Sequence, residues 1–236
     1  MKTTQFRDPR YLGDPLNAVR IFNEKEVDEI VILDIGATRR AREPDFDFIG
    51  DLASECFMPM AYGGGISTEE HVRRVLALGV EKVVINTAAV ENPPLLTAAA
   101  AVYGSQAVVA SVDVKRRWIG GRECVTRSAT QSTKRAPAEL ARAMEGAGAG
   151  ELLLTSVAHD GKMEGYDLEL IKEVTAAVSV PVIACGGAGK LDDLRRAVRE
   201  GGASAASAGS LFVYQGKHKA VLVNFPSQEV RDRLFS

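Results

Sequence analysis

The sequence predicts an α/β fold: a (β/α)8 barrel with a twofold internal repeat, whose first strand is missing from this chain. Three observations lead there. Short apolar runs alternate with amphipathic segments along the 236 residues. One turn-and-helix phrase is written in each half. No Pro- or Ser-rich linker divides the chain, so residues 1–236 read as one domain.

The elements follow in order. The first clear helical pattern, "DPLNAVRIFNEKEV" (14–27), precedes any strand. The runs "EIVILDI" (29–35), "CFMPMAY" (56–62), "KVVINT" (82–87), "AVVASVDV" (107–114), "ELLLTSV" (151–157) and "VPVIAC" (180–185) are nearly all apolar. Parallel strands covered by helices require that. "ASAASAG" (203–209) is a seventh strand by position, although Ala and Ser are poor strand formers. Between them, "TEEHVRRVLALG" (68–79) and "LDDLRRAVREGG" (191–202) carry the helical period, and "NFPSQEVRDRLFS" reads as a short final helix. A barrel begins with a strand, and nothing from Met1 to Asp14 supplies one. The expected source is an upstream segment, with Met1 an internal position. A barrel opened in this way leaves two edges unpaired and is expected to be less stable than a chain extended upstream.

The repeat joins "PMAYGGGIS" (59–67) to "PVIACGGAGK" (181–190). Gly63 to Gly79 and Gly186 to Gly202 are both sixteen positions, and Asn86-Thr87 falls opposite Gly209-Ser210. Glycines at strand C-termini let backbone N–H groups approach an anion, and the following helix N-terminus adds positive potential. Two such turns facing each other across a barrel mouth suit an elongated ligand with a phosphate at each end.

Chemistry in barrels sits at the C-terminal strand ends. Asp113 ends "AVVASVD" and is the first candidate for proton transfer. Asp160 in "SVAHDGK" and Asp34 in "LDI" are similarly placed, with a turn role as the competing reading. His159 reads as an orienting or exposed side chain. His71 and His218 have no partners at metal or triad spacing. At the opposite end Glu29, Lys82 and Glu151 each open a strand, and together they could form a salt-bridged ring around the barrel axis.

Composition excludes several classes. Net charge is −2, and no basic stripe is interleaved with aromatics, so nucleic acid is not an expected partner. No apolar run has the length of a membrane span, and the N-terminus carries no secretory signal. Cys56, Cys124 and Cys185 are odd in number and lack metal-ligand spacing. They imply reduced thiols and a cytoplasmic setting, with no metal.

The motifs "YGGGIS", "KVVINTAAVENP", "GSQAVVASVDVK", "GAGELLLTSVAHDGKMEGYD" and "ACGGAGK" closely resemble the cyclase subunit of imidazole glycerol phosphate synthase, over roughly Asp14 to Phe212. The resemblance implies a (β/α)8 barrel without a cofactor. Such a barrel takes ammonia from a glutaminase docked on its N-terminal face. It converts a bisphosphorylated ribulosyl carboxamide nucleotide to imidazole glycerol phosphate and an aminoimidazole carboxamide ribotide. By the same resemblance Asp113 matches a catalytic aspartate. Gly65, Asn86 and Thr87 match one phosphate site, and Gly161, Gly187, Gly209 and Ser210 the other. Ser128 and Asp160 match substrate-side positions, and Lys2 matches the lysine of a mobile loop. Glu29, Lys82 and Glu151 match three of four residues ringing the ammonia entrance.

The chain departs from that pattern. The first-strand aspartate and the fourth ring residue, an arginine, have no counterpart here. Where Asp-x-Asp-Gly-Thr is usual, this chain reads Ala158-His159-Asp160-Gly161-Lys162. "KTTQFRDPRYLGDPLNAVRIFNEKEVDE" and "SECFMPMAYGGGI" are similar to a branch tied to surface-glycan pathways, implying an ammonia conduit to a nucleotide-sugar amidotransferase. Three readings therefore stand: an active cyclase needing Asp34 or Asp160 beside Asp113, an ammonia conduit, and a related isomerase of a bisphosphorylated aminoimidazole precursor.

Overall fold

All seven expected strands form in the computed structural model, which describes residues 1–117, 119–216 and 218–236. They are β3 (Ile30–Leu33), β4 (Met60–Gly63), β5 (Lys82–Ile85), β6 (Val108–Arg116), β9 (Glu151–Ser156), β10 (Val182–Cys185) and β11 (Ala205–Ser207). They pair in parallel in the order β11-β10-β9-β6-β5-β4-β3. Among the described residues no strand joins β3 to β11, so the barrel is open where its first strand belongs. Leu33 on the β3 edge is 39% exposed.

Two hairpins escaped the sequence reading. β1 (Lys2–Thr4) and β2 (Arg7–Arg10) form an antiparallel pair outside the barrel sheet. β7 (Arg122–Thr126) folds back on the overlong β6, with β8 (Gln131–Ser132) beyond it. Some bounds also move inward. Cys56–Pro59 belong to the connection before β4, and Asn86 and Gly209 lie just past their strands as caps of short helices.

The helices alternate with the strands: α1 (Pro15–Glu24), α2 (Phe46–Glu55), α3 (Glu69–Ala77), α4 (Thr87–Glu91), α5 (Pro94–Tyr103), α6 (Pro137–Gly146), α7 (Leu168–Thr175), α8 (Leu191–Arg199), α9 (Ser210–Val213) and, after the short β12 (Tyr214–Gln215) and β13 (Ala220–Val221), α10 (Gln228–Phe235). Their starts are chemically marked. Asp14, Asp45, Thr68 and Asp167 each accept a hydrogen bond from a backbone N–H of the first turn, satisfying donors that the helix itself leaves open.

The period of two along each strand sorts the core into two layers. Val108, Ala110, Val112 and Val114 face the helices and join the large cluster with Leu140, Leu152 and Leu170. Val109, Ala61, Val84 and Leu153, with Val31, Ile183 and Cys185 against them, form a separate cluster inside the barrel.

The C-terminal tail links the two borders of the opening. Arg231 on α10 donates to the Glu26 carbonyl at 3.2 Å, lies 3.7 Å from Asp28 and sits over the Phe225 ring. Glu26 and Asp28 lead into β3, whereas Phe225 follows β11. Arg231→Ala is therefore expected to lower stability by about 1 kcal/mol and to speed amide exchange in β3 while leaving β6 and β9 protected. Unchanged exchange in β3 would contradict the linkage.

Candidate functional site

Asp113 lies near the C-terminal end of β6 on the inward-facing period, and only 7% of it is exposed. The register sets it beside Thr155 of β9 and Val125 of β7. Ser111 Oγ donates to Asp113 Oδ1 at 3.0 Å. Burial pushes the Asp113 carboxyl up to about 7; hydrogen bonds from Ser111 and Thr155 oppose this, and the nearby charge of Asp160 adds to it. At neutral pH the group stands between acid and base.

Asp113 faces a cavity at the barrel mouth that also gathers four other predicted residues, Gly65, Asn86, Thr87 and Ser128. Gly65 has φ +74°, and a Cβ there would meet the Arg42 carbonyl at 2.7 Å, so only glycine lets this turn pass under the loop after β3. Asn86 Nδ2 donates to the Ser111 carbonyl at 2.9 Å, and Thr87 Oγ1 accepts from the Arg127 N–H at 3.1 Å. Ser128 Oγ donates to the Ile35 carbonyl across the mouth. Asp34 also lines the cavity, with Oδ1 accepting from Gly36 and Ala37 N–H groups and Arg42 3.9 Å from its other oxygen.

A second group gathers under the N-terminal hairpin. Lys2 Nζ pairs with Asp160 Oδ1 at 3.0 Å, and Gln5 bonds to the backbone of Ala158 and Asp160. Gly209 lies against the Lys2 stem and Gly161 against Thr3 and Thr4. Asp160 Oδ2 and Ser210 Oγ are buried with no partner among the described residues. The internal repeat is visible in the backbone. Gly64 and Gly187 have φ of +125° and +130°, and a Cβ on either would strike a carbonyl of the loop after the preceding strand.

Glu29, Lys82 and Glu151 meet at the opposite end of the interior. Lys82 Nζ reaches Glu29 at 3.0 Å and Glu151 at 2.9 Å. Burial works against the ammonium charge, but hydrogen bonds to Glu151 and Glu29 outweigh it and hold the Lys82 pKa above its ordinary value. The expected ion cluster is thus formed by these three residues.

The sequence reading missed several neighbours. Ser111 and Thr155 were legible as polar residues recurring within apolar strands. Phe6, which packs on Val125, Ala129 and Val157, carried no signal. His71 Nδ1 lies 3.2 Å from the Gly65 carbonyl and bolsters that turn. His159 Nδ1 lies 2.8 Å from Ser156 Oγ, which fits an orienting role. Among the described residues no group of three or more His, Cys, Asp or Glu could hold a metal ion, and the three cysteines are free.

The histidine biosynthesis protein family matches residues 1–219. The chain belongs to that family. A Pseudomonas aeruginosa protein provisionally named imidazole glycerol phosphate synthase subunit hisF2 is 49% identical over 226 residues, 96% of this chain and 90% of its own length. A Leptospira interrogans protein provisionally named as a HisF subunit of the same synthase is 47% identical over 236 residues, 100% of this chain and 93% of its own. The imidazole glycerol phosphate synthase subunit HisF of Alkaliphilus metalliredigens is 44% identical over 214 residues, covering 91% and 85%. This histidine biosynthesis barrel therefore resembles the HisF subunit along nearly its whole length, as its motifs implied. Among the described residues no helix is long and apolar enough to cross a membrane.

Two outcomes follow from the charges. Between about 3.8 and about 7 the folded chain holds a proton on Asp113 that the unfolded chain has released. Stability falls as pH rises through that window. Asp113→Asn removes the cost, so it is expected to stabilise the protein by about 4 kcal/mol at about pH 8 and little at about pH 4, as read by urea unfolding. Lys82→Met leaves two carboxylates facing each other. By the same urea unfolding it is expected to cost about 1–3 kcal/mol near neutral pH.

Proposed function

We propose that this chain is the cyclase subunit of a glutamine-dependent imidazole glycerol phosphate synthase. It would convert a bisphosphorylated ribulosyl carboxamide nucleotide to imidazole glycerol phosphate and aminoimidazole carboxamide ribotide. The observation that carries the reading is Asp113, a buried carboxyl poised near neutrality at the mouth of a barrel. Ammonia addition to a carbonyl, loss of water, C–N cleavage and ring closure each move a proton, and a group with a pKa near the working pH serves best. Asp113 is the catalytic group in this reading.

The two glycine turns hold the ends of the substrate. Gly65, Asn86 and Thr87 take one phosphate. Gly161, Gly187, Gly209 and Ser210 take the other, with Lys2 as its cation. Ser128 and Asp160 bind between them; the open Asp160 Oδ2 accepts from a ligand donor, and the open Ser210 hydroxyl donates to a phosphate oxygen. A glutaminase docks on the N-terminal face, where Glu29, Lys82 and Glu151 surround the ammonia entry. The apolar interior layer above them suits neutral ammonia better than ammonium. Residues 1–236 act as one barrel domain, in the cytoplasm, where free thiols persist.

A second reading rests on the carboxylates around Asp113. Asp34 Oδ1 is engaged by two backbone N–H groups and Asp160 Oδ1 by Lys2. That favours a barrel that passes ammonia to a nucleotide-sugar amidotransferase in surface-glycan synthesis and does no ring closure itself.

Turnover of the bisphosphorylated nucleotide with free ammonium at alkaline pH, without glutaminase, separates the two. The cyclase reading expects both products, with kcat reduced at least about 100-fold in Asp113→Asn. A folded barrel that binds the nucleotide and yields no product would support the conduit.

A further inference from the structure

The turn after β7 holds the most strained backbone beside the cavity. Arg127, Ser128 and Ala129 have φ of 52°, 54° and 63°. Three successive side-chain-bearing residues in the left-handed region persist only where their surroundings over-determine them. Four contacts do so. Thr87 Oγ1 accepts from the Arg127 N–H at 3.1 Å, and Thr130 Oγ1 donates to the Arg127 carbonyl at 2.7 Å. The Arg127 guanidinium meets Glu91 at 2.8 Å. Lys115 Nζ donates to the Ala129 carbonyl at 2.5 Å.

Lys115 is the unusual member. It sits on β6 two residues beyond Asp113, half-buried, and among the described residues no carboxylate lies within ion-pair distance of it, although Glu123 stands opposite on β7 and favours its charge. Its ammonium donates to a single carbonyl, that of the residue after Ser128. Burial, with Arg7 of the N-terminal hairpin nearby, pulls its pKa below the usual lysine value. A cation held there at electrostatic cost is expected to serve the turn it grips. That turn presents Ser128 to the cavity it shares with Asp113, with the serine hydroxyl donating to the Ile35 carbonyl.

We infer that Lys115 is a positioning residue: it holds the left-handed turn so that Ser128 faces the cavity, and the Ser128 hydroxyl transfers from the Ile35 carbonyl to an oxygen of the entering phosphorylated ligand. The ligand class rests on the cyclase reading, whereas the grip on the turn does not.

The test uses the full chain with Lys115→Met and Lys115→Arg. Without ligand, amide exchange at the Arg127 N–H is expected to quicken at least about tenfold in Lys115→Met and to return towards the original rate in Lys115→Arg. Amides of β6 and β9 report that both variants are folded. With the bisphosphorylated carboxamide nucleotide and ammonium, KM is expected to rise about tenfold in Lys115→Met while kcat stays within about threefold. Ser128→Ala should give the same KM rise, with no further loss in the double variant. Unchanged Arg127 exchange in Lys115→Met, or no recovery with arginine, would overturn the positioning role. So would a loss confined to kcat. Failure of the unmodified protein to bind or turn over the nucleotide would overturn the cyclase reading, and the exchange measurement would still decide Lys115.

Discussion

Side chains alternate faces at every residue of a strand, and seven parallel strands in register turn that period into the whole interior. Along β6, Val109, Ser111 and Asp113 point inward, and along β9 so do Glu151, Leu153 and Thr155. Lys82 and Val84 on β5, with Glu29 and Val31 around β3, repeat the order. Charge lies at one end, aliphatic side chains in the middle and hydrogen-bonding groups at the mouth. A one-residue slip of β6 would turn Asp113 into the helix layer and bring valines inward. The tight packing of Val108, Ala110 and Val112 against the helices opposes that slip.

The same geometry places a carboxyl where water is scarce. Burial that raises the affinity of Asp113 for a proton also makes its ionised form costly to the fold, so stability and proton-transfer capacity pull against each other at one residue. The polar groups around it are few. Ser111 and Thr155 supply hydrogen bonds, and Asp160 contributes a charge already tied to Lys2. The N-terminal hairpin reaches over the mouth through Lys2, Gln5 and Phe6, so it belongs to the site even though it lies outside the barrel sheet.

Much of this was legible in the residue order. Six of the strands are apolar runs too short for helices and too continuous for exposed sheet, and β11 was placed by the repeat alone. Asp113, Glu29, Lys82 and Glu151 stood out because they interrupt or open such runs. The hairpins did not, for a physical reason. "KTTQFRDPR" is almost wholly polar and turns through Gln5 and Phe6 at positive φ, and "RECVT" alternates weakly, so neither shows a buried face of its own. The contacts of Lys115, His71 and Phe6 depend on loops that meet only once the sheet has curled and brought them together, and no local pattern encodes such meetings.

The most direct measurement is a carbon-13 NMR titration of the Asp113 carboxyl in the unmodified protein, repeated in Asp160→Asn. A midpoint near 7 that falls when the Asp160 charge is removed is expected if burial and that neighbour set the acid–base poise of the site. A midpoint near 4 in both proteins would mean that Asp113 is fully ionised at neutral pH, and would contradict its role as the group that gives and takes the proton.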